Sequence, residues 1–136
     1  MKYTYIALAF LITGFLLAGD AYGEDEGYYC AEIDGNGFYY DKKSGSYEPS
    51  RFDPIRFKMK LDRTSNLLEL AEGDRRRRYT CTIPYPSTPE EMSCYQGLYH
   101  FNFNTKSGRF VYSRALGYID GDEDSISVSY GTCDKF

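Results

Sequence analysis

From Tyr28 to the end of the chain, apolar and polar residues alternate in short runs, the period-two signature of half-buried strands. No segment sustains the roughly 3.6-residue apolar period of a surface helix over three turns. The clearest stretch is "LYHFNFNTKSGRFVYSR", Leu98 to Arg114. With 105–108 as its loop, Asn104 faces Arg109, Phe103 faces Phe110 and Phe101 faces Tyr112. Tyr99, Phe101, Phe103, Phe110 and Tyr112 then share one face, while His100, Asn102, Val111 and Ser113 share the other. The same reading predicts strands at 28–33, 38–41, 55–62, 67–72, 76–83, 98–104, 109–118 and 125–130. Their connections carry turn chemistry in "DGNG", "KKSG", "EGD", "TKSG" and "DGDED". The expected fold class is all-β: a single small antiparallel barrel or sandwich of about eight strands.

The first residues break this texture. Lys2 precedes a continuous apolar run, "YTYIALAFLITGFLLA", and small residues follow, with Ala21 and Gly23 placed for cleavage before Glu24. That is the pattern of a secretory signal peptide over 1–23, leaving one domain at 24–136 whose first residues, 24–27, are a frayed acidic tail. The run is shorter than the ~18–20 residues of a spanning helix, so no membrane insertion is expected after cleavage. "LAGD" resembles a lipobox, but Asp20 stands where the lipid-bearing cysteine belongs. A periplasmic or secreted location is therefore predicted.

Composition sharpens the picture. Sixteen basic against twenty acidic residues give a net charge of −4, which argues against general nucleic-acid binding. The four cysteines, Cys30, Cys81, Cys94 and Cys133, all lie beyond the cleavage point. An even number in an exported chain predicts two disulfides, for which three pairings exist. Cys81–Cys94 and Cys30–Cys133 are favoured, the first closing a turn-rich segment and the second tying the ends together. A four-cysteine metal site lacks the close Cys pair it needs.

Candidate chemistry is sparse. In "EGDRRRRYTC" a two-residue turn at Gly73–Asp74 sets Glu72 opposite Arg75, Ala71 opposite Arg76, Leu70 opposite Arg77 and Glu69 opposite Arg78. Together with Glu69, Glu72 and Asp74, the four arginines leave a local charge of only +1. An anion contact, if made, falls to Arg76 and Arg77. "TIPYPSTPEEMS", between Cys81 and Cys94, carries three prolines and reads as a stiff surface loop that can present Tyr85 to a partner. Asp120, Asp122 and Asp124 alternate as in a calcium loop, but the glycine and the closing glutamate of such a loop are misplaced. His100 is the only histidine and sits on a polar strand face, with no nucleophile motif in the chain. Consecutive aromatics, Tyr28-Tyr29 and Phe38-Tyr39-Tyr40, must point to alternate faces, so some look outward.

Several stretches carry a resemblance: "YYC", "GFYYDKKSGSYEPSRF", "FNFNTKSGRFVYS", "GYIDGDEDS" and "SVSYGTCDKF". Together they resemble small uncharacterised exported proteins of Gram-negative bacteria, cysteine-containing β domains. The resemblance implies export and β structure and brings no catalytic residue. More distantly, the chain is similar to periplasmic lysozyme inhibitors of the MliC type. Their Ser-Gly-x-x-Tyr loop is one residue short at Ser44-Gly45-Ser46-Tyr47, and Ser107-Gly108-Arg109-Phe110 is short and ends in Phe.

These features predict a non-catalytic exported β domain that binds a protein or cell-envelope component and needs no cofactor. The alternatives are a carrier with an aromatic-lined barrel interior for a small apolar ligand, a lysozyme-inhibitor-like protein and, last, a small hydrolase. An internal cavity supports the carrier, a filled core with an exposed patch supports the binder, and convergent carboxylates support the enzyme.

Overall fold

Nine antiparallel strands are described by a computed structural model covering residues 25–136. The expected signal peptide at 1–23 lies outside the described residues. In chain order the strands are β1 (Glu26–Asp41), β2 (Ser46–Phe52), β3 (Arg56–Asp62), β4 (Leu67–Glu72), β5 (Arg75–Thr82), β6 (Glu91–Gln96), β7 (Tyr99–Asn104), β8 (Arg109–Arg114) and β9 (Ile126–Lys135). One short helix, α1 (Leu116–Asp120), separates β8 from β9. Strands β3 to β9 form a meander, and β1 pairs with both β3 and β9, closing an eight-stranded barrel. The ninth strand, β2, pairs only with the distal half of β1.

Closure decides between the two expected architectures in favour of the barrel. It rests on β1, which at 16 residues is much longer than its barrel neighbours. Its first half lies between β3 and β9; its second half lies between β2 and the start of β9. The register shifts between Glu32 and Asp34, so a β-bulge sits where β1 changes partners. An extra residue in one strand bends it and re-aims its side chains. Glu32 consequently faces inward and is buried, while Ile33 is 54% exposed.

The two strongest hairpins adopt the register their sequences predict. In β7–β8, Phe103 pairs with Phe110 and Phe101 with Tyr112. In β4–β5, Glu72 pairs with Arg75 and Glu69 with Arg78. Gly73, at φ 55°, takes the first turn position, where a two-residue hairpin loop of the primed type needs a positive φ.

Other boundaries differ from expectation for identifiable reasons. "DGNG" is no turn but the middle of β1. A side chain at Gly37 would collide with the Ile126 main-chain carbonyl, so glycine there permits β9 to approach. β2, "SYEPSRF", was not expected as a strand; Pro49 is tolerated because β2 is an edge with one neighbour. β6 emerges from the proline-rich segment, leaving only 83–90 as loop. The strand expected to run to Tyr118 ends at Arg114, and α1 follows, stopped by Gly121 in the left-handed region at φ 84°. β9 runs on to Lys135, and β1 begins inside the stretch expected as a frayed tail, because Glu26 and Gly27 pair with Leu61 and Lys60 of β3.

The barrel interior is filled. Tyr79, Phe101, Met59, Leu61, Leu68 and Cys94 are essentially fully buried, with Phe57, Phe103, Phe110 and Tyr112 close to it. Phe101 stacks on Phe110 at 5.1 Å, and Phe57 meets both edge-on. Edge-to-face and offset aromatic contacts of this kind add ~0.5–1.5 kcal/mol beyond their buried area. The inward positions of β9 are small (Ser127, Ser129, Gly131 and Cys133), which leaves room for these rings. Two disulfides lie in the wall, Cys30–Cys133 across β1–β9 and Cys81–Cys94 across β5–β6. No helix among the described residues is long and apolar enough to cross a membrane.

Candidate functional site

The arginine run is divided by the strand it occupies. Successive residues of β5 face opposite sides, so Arg76 and Arg78 point outward and Arg77 points into the barrel mouth. Outside, Glu69 takes both arginines, at 2.9 Å from Arg76 and 3.3 Å from Arg78. These two guanidinium hydrogen bonds hold the Glu69 carboxyl below its ordinary range. Inside, the Arg77 guanidinium lies over the Tyr99 ring at 4.4 Å and donates to the Tyr112 hydroxyl at 3.2 Å. Arg76 and Arg77, expected to share an anion contact, therefore lie on opposite faces and do not form one site.

The Tyr112 hydroxyl also shares a 2.6 Å hydrogen bond with Tyr79. Beside them is an ion pair that sequence reasoning missed, its Glu32 buried and its Arg114 half-buried. Arg114 donates to Glu32 and stacks on the Tyr112 ring at 4.2 Å. The Glu32 carboxylate further accepts from the Ser129 hydroxyl at 2.5 Å and the Ile55 main-chain N–H at 3.1 Å. The Glu32 side chain is only 2% exposed, so these donors replace its water. One end of the core is thus polar, satisfied and occupied by protein.

At the other end Tyr28 donates to Glu26 at 2.6 Å. Burial, then the Glu26 carboxylate, push the Tyr28 phenol up to about 12, and burial with the Tyr112 hydrogen bond pushes Tyr79 up as well. A tyrosine whose pKa is raised by folding binds its proton more tightly when folded. Stability is therefore intact below the ordinary tyrosine value of 10.0 and falls as pH rises towards about 12. Alkaline titration followed by tyrosinate absorbance and circular dichroism should show these two phenols ionising late, together with loss of structure. Ionisation of all tyrosines before any structural change would contradict this.

Outside the barrel, across β6 to β9, lies an open groove of about 610 Å³. Tyr130 and Val111 form a direct cross-strand pair in its floor. Ile33 reaches it from the β1 bulge, and Pro84 and Tyr85 of the proline-rich loop wall it. Asn102, Asn104, Glu91 and Arg109 complete its polar edge. Tyr85 is 62% exposed and Tyr130 52%. Val128, next outward on β9 beside Tyr130, extends the apolar surface. Tyr85 was legible as an exposed candidate; Ile33, Val111 and Tyr130 join it only through the fold.

The remaining candidates do not gather. Asp120, Asp122 and Asp124 end α1 and its following loop, where the Asp122 and Asp124 carbonyls accept the Tyr47 hydroxyl, each at 3.1 Å. Among the described residues no three His, Cys, Asp or Glu side chains are arranged to hold a metal ion. Tyr47 ends the Ser44–Tyr47 segment, so its hydroxyl is committed within the fold. In the other Ser-Gly segment, Gly108 is tied to β9 through its carbonyl, which accepts from the Cys133 N–H at 2.7 Å. His100 is exposed, paired in register with Ser113 and Tyr95.

Fold and site together define a disulfide-bonded, closed β-barrel with a packed interior and an aromatic groove on its outer wall. Comparison with family models, with curated proteins and with solved structures gives no match.

Proposed function

We propose that this protein is an exported, non-catalytic binding domain whose partner is another protein, docked in the groove over β8 and β9. The observation that carries this reading is the contrast between the filled interior and the open apolar groove outside it. The groove has the anatomy of a protein interface. Its centre is uncharged, with Ile33, Tyr85, Val111 and Tyr130, and Arg109 and Glu91 stand at its edge. A carrier of small apolar ligands needs a chamber where Tyr79, Phe101 and Met59 instead stand. Two disulfides suit an oxidising compartment, the periplasm or the medium.

The test begins with capture of a partner from the envelope fraction and ends with direct binding of the two purified proteins. Tyrosines at an interface centre commonly contribute about 2 kcal/mol or more. Tyr85→Ser and Tyr130→Ser should each weaken binding roughly 30-fold. Both side chains are exposed, so melting temperatures should stay within a degree or two of the parent. A captured protein that binds both variants with parental affinity would refute the groove as the docking site.

A further inference from the structure

A second concavity of different chemistry lies further round the barrel wall, on the far side of β9 from the groove. It runs from Thr132 and Asp134 of β9 across β1 and β3 to the β4–β5 hairpin, and meets the groove at Thr132. On the outer face of these strands Tyr29, Lys58, Ala71 and Arg76 stand in one cross-strand row, through the pairs Tyr29–Lys58, Lys58–Ala71 and Ala71–Arg76. With strands about 4.8 Å apart, Lys58 and Arg76 rise roughly 10 Å from one another, with only the Ala71 methyl between them. Arg56 lies on the same face of β3, two residues from Lys58. These three cations line a hollow of about 760 Å³.

Its charge runs against that of the chain, which is −4 overall. Asp134 is the one carboxylate lining the hollow. Arg76 shares Glu69 with Arg78, so that cluster keeps one positive charge in excess. Among the described residues neither Arg56 nor Lys58 has an ion-pair partner within 4.0 Å. Counting Arg56, Lys58, Arg76 and Arg78 against Glu69 and Asp134, two positive charges remain unmatched.

We infer that this hollow binds a phosphate monoester, held between Lys58 and Arg76 above Ala71, with Arg56 as the third donor. A phosphate monoester carries about −1.5 to −2 charges near neutral pH, which matches the excess. Its three outer oxygens accept from several cations at once, and a guanidinium grips two of them together. The small Ala71 makes the space; a long side chain at that position would fill it. No step of the proposed protein docking uses these residues, so the two sites stand or fall separately.

The phosphate can come free or on a lipid headgroup, and the experiment separates these sources. The oxidised protein is titrated with glycerol phosphate by NMR, and in parallel sedimented with phosphatidylcholine vesicles with and without phosphatidic acid. Saturable shifts of the amides around Ala71 are expected with glycerol phosphate. Lys58→Ala and Arg56→Ala should each weaken binding about tenfold, the loss of one charge-assisted contact. Ala71→Leu should abolish it, and Lys43→Ala, in the β1–β2 turn, should leave it unchanged. All four positions are exposed or half-buried, and melting curves verify folding. Binding only to vesicles that contain phosphatidic acid would assign the same site to a lipid headgroup. No saturable binding in either arm, or parental affinity in both Lys58→Ala and Arg56→Ala, overturns the inference.

Discussion

Replacing both Cys30 and Cys133 with alanine is expected to lower stability by about 4 to 5 kcal/mol, the larger of the two disulfide effects in this protein. The reason lies in the unfolded chain. The bridge spans 103 residues, and closing a loop near that length removes ~4.7 kcal/mol of chain entropy from the denatured ensemble. The Cys81–Cys94 bridge spans 13 residues, for which the same relation gives ~3 kcal/mol. Alanine is the proper replacement because both cysteines are buried and serine would add an unpaired hydroxyl. Urea unfolding of the two double variants orders the effects. A smaller loss for Cys30/Cys133→Ala than for Cys81/Cys94→Ala would mean that entropy of the open chain is not what the bridge contributes.

The next largest effect is expected from Arg114→Ala, at about 3 to 5 kcal/mol. The substitution leaves the Glu32 carboxylate buried with a hydroxyl and one main-chain N–H as its donors. It also removes the guanidinium stacked on Tyr112. The cost arises chiefly from the stranded charge, so the double variant Glu32→Leu/Arg114→Leu should unfold less readily than Arg114→Ala alone. That comparison separates an ion pair that stabilises by attraction from one that is only costly to break. If Glu32→Leu/Arg114→Leu is as damaging as Glu32→Leu and Arg114→Leu added together, the side chains are not energetically coupled.

Local patterns were readable wherever one hairpin contained its own information. β4–β5 and β7–β8 have strong alternation and glycine turns, and their pairing follows residue by residue. Barrel closure was not readable, because it depends on β1 meeting β9 about a hundred positions later. β9 itself was cut short at Tyr130, since Gly131 and Cys133 give its inward face no apolar bulk. β2 hid behind Pro49 and charged neighbours, which an edge strand accepts. Of the candidate site, Tyr85 showed itself through its prolines. Arg77 was misassigned because a run of like charges conceals the alternation of the strand that carries it. Glu32 and Arg114, 82 positions apart, had no shared signal at all.

The seam of the barrel also determines how the molecule bears load. The Phe136 N–H donates to the Gly27 carbonyl at 3.1 Å, so the first and last described residues leave the barrel side by side. A few residues inward, Cys30 is bonded to Cys133. Tension applied at the two ends would peel these short flanking segments and then meet a covalent bond. The force would pass through that bond from one strand to its neighbour, and the 102 residues between would remain unloaded. Held by either end, or by both, the barrel presents its two walls without being pulled open.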